Sequence, residues 1–289
     1  MIFEAPGLSN ISPISPHLTA AGDRKEFDVS VITQHAIGTF CWPELHTTDV
    51  PAAKKFYASL FGWAPNDMPV PEGDPYTILD LGGQSVGAMT PLQKEQTKAG
   101  IPPHWNPYIA VANADETATK AASLGGTVIL PAFDVMDAGR MAVIQDPTGA
   151  VFSIWQPKAH PGASRINEVG ALSWNELLTR DTEKAATFYS GLFGWRPKAW
   201  DGPMPYTVFQ LAEEDMAGGM MAMPDEMKDV PPNWLPYFQV ADVDAAVARV
   251  RELGGKVCNP PMDIPNVGRI AVIADPQGAT FAVAKFIER

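Results

Sequence analysis

Two glutamates of this 289-residue chain each follow a tryptophan at a spacing of two: Glu44 after Trp42 in CWPEL, and Glu176 after Trp174 in SWNEL. If these stretches are strands, alternation puts Trp42, Glu44 and His46 on one face, and Trp174, Glu176 and Leu178 on an equivalent one. A carboxylate held among indoles has its charged form disfavoured, and its pKa rises towards the range where proton transfer is useful. That face is either a cleft or a packed core. In a core the tryptophans are large fillers, and each glutamate stands at a solvated strand end or in a structural hydrogen bond.

Other residues could serve the same chemistry. Tyr108 and Tyr237 could donate a hydrogen bond to a substrate carbonyl, or be buried tyrosines satisfied by backbone. His104-Trp105 and Asn233-Trp234 are expected in loops just before a strand, where His104, Trp105 and Trp234 could lean over a cleft mouth and the indoles could stack on a planar ligand. Pinning of each tryptophan to its own domain is the competing reading. Arg140 and Arg269 are read first as partners of a nearby acid and second as anion binders. The segment MAGGMMAMPDEM (216–227) suggests either an adaptable apolar lining or a gap-filling core. His17, His35 and His160 are expected to be solvated. Cys41 and Cys258 have no basic neighbour in sequence that would make either a nucleophile.

The composition narrows the classes. With 46% hydrophobic and 19% charged residues the chain can bury real cores, so general disorder is excluded. Lys and Arg total 21 against 33 Asp and Glu, a formal charge of -12, which is the wrong sign for nucleic acid or anionic lipid. Two cysteines make no disulfide framework, and neither a secretion signal nor a run of about 18 apolar residues is present. The reading is a cytoplasmic protein with no membrane or nucleic-acid partner.

The elements that must position these residues occur twice. FCWPELHTTDVPAAKKFYASLFGW (40–63) matches LSWNELLTRDTEKAATFYSGLFGW (172–195) at 12 of 24 positions. PHWNPYIAV (103–111) matches PNWLPYFQV (232–240), and GRMAVIQDPTGAVF (139–152) matches GRIAVIADPQGATF (268–281) at 10 of 14. The order is kept, so the chain is a duplication of one domain-sized unit. We place an N-terminal arm at 1–36, the first domain at 37–157, a Pro/Gly/Ser-containing linker at 158–168 and the second domain at 169–289. Each copy reads as strand, helix and strands, then the same again. Asp49 caps a helix carrying Ala53, Phe56, Tyr57 and Leu60, which Gly62 ends. A second helix runs from Asp115 to Leu124, and Asp146 to Gly149 form a turn. Each domain is therefore two βαβββ modules.

The pattern Asp49, Phe56-Tyr57, Leu60 to Trp63, its copy at Asp181, Phe188-Tyr189 and Leu192 to Trp195, the LGG helix stops and DPxGAxF together resemble the glyoxalase/bleomycin resistance/dioxygenase (vicinal oxygen chelate) superfamily. The resemblance covers both repeats. It implies an α+β fold of two tandem domains, each curling two βαβββ modules into an open U-shaped sheet around a small-molecule cleft. Metal-dependent members present carboxylate or imidazole ligands from the first and last strands of the paired modules. Here those positions fall on Trp42 or Glu44, Tyr108 and Ser153, and on Trp174 or Glu176, Tyr237 and Ala282. One carboxylate per cleft remains, with His46 beside it in the first domain only, so the usual ligand set is incomplete and no cofactor is expected.

Three functions are carried forward. In the first, a glyoxalase-like lyase or isomerase acts on a small carbonyl or aromatic metabolite, with Glu44 and Glu176 as acid and base and Trp42, His46, His104, Trp105, Tyr108, Trp174, Trp234 and Tyr237 around the substrate. The second is a protein that binds or sequesters a small molecule without chemistry. The third keeps a divalent metal, as a lyase or dioxygenase, with Glu44 and His46 among its ligands. The two domains are expected to pair within the chain as a monomer, or to form a homodimer. Pro43 is a complication, since proline prefers a strand edge or a bulge.

Overall fold

A computed structural model describes residues 31–70, 75–212 and 215–287. The first domain runs β1 (Phe40–Thr47), α1 (Val50–Phe61), β2 (Ala64–Met68), β3 (Tyr76–Leu81), β4 (Gln84–Pro91), the short α2 (Lys94–Lys98), β5 (His104–Ala110), α3 (Ala114–Ser123), β6 (Thr127–Val135), β7 (Gly139–Gln145) and β8 (Val151–Pro157). The second repeats this as β9 (Leu172–Thr179), α4 (Thr182–Phe193), β10 (Arg196–Ala199), β11 (Thr207–Gln210), β12 (Met216–Ala222), β13 (Asn233–Gln239), α5 (Val243–Glu252), β14 (Lys256–Ile264), β15 (Gly268–Ala274) and β16 (Thr280–Phe286), with a single 3-10 turn at Asp225–Met227. Each domain forms one eight-stranded mixed sheet, ordered β2-β3-β4-β1-β5-β8-β7-β6 and β10-β11-β12-β9-β13-β16-β15-β14. The two βαβββ modules of a domain meet where their first strands pair antiparallel, β1 with β5 and β9 with β13. This is the α+β duplication expected from the sequence.

Local chemistry explains the first helix of each repeat. Asp49 accepts from Ala52 N at 2.9 Å and Asp181 from Lys184 N at 2.9 Å, satisfying donors that the first turn leaves free. Gly62 and Gly194 end the helices in the left-handed region, at φ 75° and 74°, where a side chain would be strained. The amphipathic stripe of α1 then buries Ala53, Phe56, Tyr57 and Phe61.

That stripe packs on the other domain. Tyr57, Phe61 and Trp63 meet Phe281 and Phe238 with ring centroids 5.3–5.6 Å apart in the nearest pairs, while Tyr189 and Trp195 pack against Phe152 at 5.6 Å and Phe40 at 5.8 Å. One apolar core therefore takes residues from both repeats. Burying each such ring contributes about 1.5–3 kcal/mol, so neither domain keeps its core if pulled from the other. Polar groups confirm the reciprocity: Trp63 Nε1 donates to Gly170 O at 2.7 Å, and Trp195 Nε1 to Gly38 O at 2.9 Å.

Two expectations about the linker and Pro43 change. Residues 160–164 do not run free. Ala163 N donates to Cys41 O, Ser164 N to Ser85 O and Ile32 N to Ser164 O, which pins the linker and the residues before β1 against the first sheet. His35 is consequently buried, with Nε2 2.8 Å from Ala163 O, and His160 packs edge-on to Trp42 at 4.6 Å. Neither is solvated; His17 lies outside the described residues. Pro43 sits in a central strand rather than at an edge, opposite Pro107 across the β1/β5 pair and against Gly87 on the other side. The register shift in β1 falls earlier, between Phe40 and Trp42, so alternation holds from Trp42 onwards.

Candidate functional site

The face of each sheet opposite the helices carries the glutamates. Phe40 and Leu45 of β1 belong to the shared helix-side core, whereas Trp42 joins Tyr108 and Trp155 in a separate cluster on the far side. The tryptophans before the glutamates are therefore not fillers of the main core. Glu44 is 6% exposed and Glu176 7%, so neither is a solvated strand end.

Each glutamate is held by two tyrosines. Tyr76 Oη donates to Glu44 Oε2 at 2.5 Å and Tyr108 Oη to Glu44 Oε1 at 3.0 Å, while Trp42 Nε1 donates to Tyr76 Oη at 3.0 Å. The second domain repeats the chain: Tyr237 Oη donates to Glu176 Oε1 at 3.0 Å, Tyr206 donates to the same carboxylate, and Trp174 Nε1 donates to Tyr206 Oη at 2.9 Å. Tyr108 and Tyr237 are thus satisfied by carboxylate, not backbone. Burial and the neighbouring carboxylate push all four phenols well above their ordinary pKa, so they remain donors.

Tyr76 and Tyr206 were missed from sequence. The signal was present, since PYTI (75–78) and PYTV (205–208) keep the same tyrosine in both repeats. What hid it is that β3 and β11 lie two strands away from β1 and β9, and only the sheet order brings them to the glutamates.

The two carboxyl groups are shifted in opposite directions. His46 Nε2 lies 2.9 Å from Glu44 Oε1, at ion-pair distance but without hydrogen-bond alignment, and its Nδ1 has no partner. Burial opposes ionisation of Glu44, but His46 together with the two tyrosines outweighs it and holds the carboxyl below its usual value. Leu178 stands where His46 does, and Glu176, buried beside only two hydroxyls, is pushed up to about 6. Burial therefore raises the acid's pKa as expected in the second domain and fails to do so in the first.

The strand starts correct the loop readings. His104 and Asn233 are the first residues of β5 and β13, not loop residues. His104 stacks on His46 at 4.9 Å and 5°, and burial, followed by the His46 charge, lowers its pKa to about 4. Trp105 and Trp234 point the other way. Their Nε1 atoms donate to Tyr57 and Tyr189 inside the shared core, because alternation turns them to the helix side, so neither reaches the glutamate face. Arg140 makes a two-pronged pair with Asp115, and Arg269 with Asp244, on the surface. Of the methionines, Met220 is core, while Met221, Met223 and Met227 pack on the glutamate face.

The donor set suits a divalent ion poorly. Among the described residues no three His, Cys, Asp or Glu side chains come together to hold a metal, and both oxygens of Glu44 already accept from tyrosine. In the second domain Glu176 is surrounded by Leu178, Leu235 and Ala282, which have no donor to offer.

The chain belongs to the Glyoxalase/Bleomycin resistance protein/Dioxygenase superfamily, which matches residues 37–154 and 165–283. It is 44% identical over 256 residues, 88% of this chain and 97% of the relative, to a Mycobacterium tuberculosis protein named "Putative glyoxylase CFP32". It is 35% identical over 269 residues, 89% of this chain and 96% of the relative, to "Anthracycline biosynthesis protein DauV" of a Streptomyces species. The crystal structure of a Mn(II)-bound glyoxalase from Novosphingobium aromaticivorans superposes with TM-score 0.62 at 14% identity, covering 87% of this chain and 83% of that one. The 2,3-dioxygenase LapB of Pseudomonas sp. KL28 superposes at 0.61 and 11% identity, covering 88% and 94%. At such identities these two share the fold alone. No described helix is long and apolar enough to cross a membrane.

Proposed function

We propose that the chain takes up a small carbonyl-bearing or aromatic metabolite on its helix-free faces and moves a proton on it with a buried glutamate, without the usual divalent ion. The observation that carries this reading is Glu176: a buried carboxyl poised near pKa 6, held by Tyr206 and Tyr237 and flanked by Trp174. A group titrating there can both give and accept a proton near neutrality. Tyr206 and Tyr237 would hold its orientation, and the apolar surroundings would strengthen any hydrogen bond to a substrate oxygen. Glu44, its pKa lowered by His46 and two hydroxyls, is the weaker base of the two and leaves the proton transfer to Glu176. The names of the two sequence relatives, a glyoxylase and an anthracycline biosynthesis protein, fit a small organic substrate. The shared core supports pairing of the two domains within the chain, as a monomer or as the unit of a homodimer, and two unpaired cysteines suit a reducing compartment such as the cytoplasm.

A second reading, binding without chemistry, is favoured by the full engagement of both Glu44 oxygens. Glu44→Gln, Glu176→Gln and the double variant separate the two, assayed on a panel of aldehydes, ketones and aromatic carbonyls with product detection by mass spectrometry. Loss of turnover in Glu176→Gln with retained folding supports proton transfer. Unchanged turnover in the double variant overturns it, and ligand binding without product from wild-type protein establishes the second reading.

A further inference from the structure

The duplicated faces have diverged in a consistent direction. Across the β1/β4 pair the first domain sets His46 opposite Thr90, and across the matching pair the second sets Leu178 opposite Met221. Asn106, opposite Glu44, becomes Leu235, opposite Glu176. Ser153, beside Tyr108 and hydrogen-bonded to Asn106 at 2.8 Å, becomes Ala282, beside Tyr237. Four polar positions around one glutamate are apolar around the other.

Bulk has moved as well. Trp155 of β8 lies 6.3 Å from Tyr108, and Ala284 replaces it on β16. The Trp155 ring crosses Gly139 so closely that a Cβ there would stand 2.3 Å from it, and Nε1 donates to His160 O at 2.9 Å. His160 in turn packs on Trp42, which is 4% exposed, and Ala163 completes the cluster. The Trp42 end of the first face is thus filled by an indole and covered by the linker, while Tyr76, Ile78, Met141, His46 and Thr90 there keep part of their surface in solvent. On the second face no indole stands at Ala284, and Trp174, the counterpart of the buried Trp42, is partly exposed together with Tyr206, Met221, Met223 and Phe286. Polarizable thioethers and an indole suit a flat apolar partner, and adapt to its outline.

We infer that the second domain's face is the ligand site, that it takes an uncharged, flat, aromatic molecule with a hydroxyl at one edge donating to Glu176, and that the first domain's face is narrowed by Trp155 and residues 160–164. The inference rests on reading these faces as the site, and adds which one binds and what. An anion would meet the carboxylate of Glu176 in a low-dielectric setting and be rejected.

Tryptophan fluorescence titrations with 2-naphthol and 2-naphthoate, which share a ring system and differ in charge, test it without reading turnover. Wild-type protein is expected to bind 2-naphthol at least about tenfold more tightly than 2-naphthoate. Ala284→Trp, which refills the indole space, and Leu178→His, which restores the polar first-domain residue, should each weaken 2-naphthol binding by about tenfold. Trp155→Ala should leave its affinity within about twofold. Circular dichroism verifies that each variant is folded, and Leu178→His carries the test should Ala284→Trp misfold. The inference is overturned by equal affinity for the two probes, by no binding of 2-naphthol up to its solubility, or by unchanged binding in folded Ala284→Trp or Leu178→His. Loss of binding in Trp155→Ala overturns it too. Failure of the proton-transfer reading would show instead as unaltered turnover in the glutamate variants.

Discussion

The hydroxyl of Tyr57, on the first helix of the first domain, donates to Asp275 Oδ2 of the second domain across 3.0 Å and 218 residues of sequence. Asp275 Oδ1 meanwhile accepts from the backbone N–H groups of Gln277, Gly278 and Ala279, closing its own turn. The reverse bond, Tyr189 to Asp146 Oδ2 at 2.9 Å, completes the exchange. The FY and DPxG motifs therefore lock the repeats together, and they do so in the core rather than at the ligand face.

Tyr57→Phe should cost about 1–3 kcal/mol, because it strips a donor from a buried carboxylate whose pKa burial already raises. Tyr189→Phe should cost a similar amount. Urea unfolding measures both, and because the core is shared, each variant should show one cooperative transition and not an early loss of a single domain.

Glu176 sets a stability slope. Its folded pKa, about 6, lies above the usual 4.5, so the native state holds its proton over that window while the unfolded chain releases it. Its contribution to stability is present below pH 4.5 and is lost as pH rises to about 6, leaving a buried charge that costs about 2 kcal/mol above that. Glu176→Gln should match wild type near pH 4.5 and exceed it at pH 7.5 in denaturant midpoints. An equal difference at both pH values would contradict the assignment.

Acid should strain the first domain through its histidines. Burial, the leading cause in each, holds His35, His160 and His104 below 6.5, His104 at about 4. The unfolded chain takes up these protons first as pH falls, so stability drops from about pH 6.5 down through the folded values. His104→Asn copies Asn233, which bonds Pro231 O much as His104 bonds Pro102 O. It should recover about 1–3 kcal/mol at pH 4 relative to wild type, with little change at pH 7.5.

Gly139→Ala should destabilise by about 1–3 kcal/mol, since the added methyl would collide with the Trp155 ring. Pairing it with Trp155→Ala should remove most of the penalty of the glycine change. Thermal unfolding of the single and double variants, treated as a cycle, reads the coupling directly.

Sequence alone determined the duplication, the βαβββ order and the capped helices, because caps, helical stripes and strand alternation are short-range and were written twice. It also placed Trp42, Glu44 and His46 on one face, since period-two alternation survives once the bulge in β1 is passed. The sheet order and the packing of the repeats were beyond it. Those bring Tyr76 to Glu44 across two strands, turn Trp105 into the shared core and fold the linker's His160 onto Trp42. The opposite pKa shifts of the glutamates belong to this second class. Both sit in nearly the same local sequence, yet the desolvation and neighbours that separate Glu44 from Glu176 are set by strands that meet only in the folded chain.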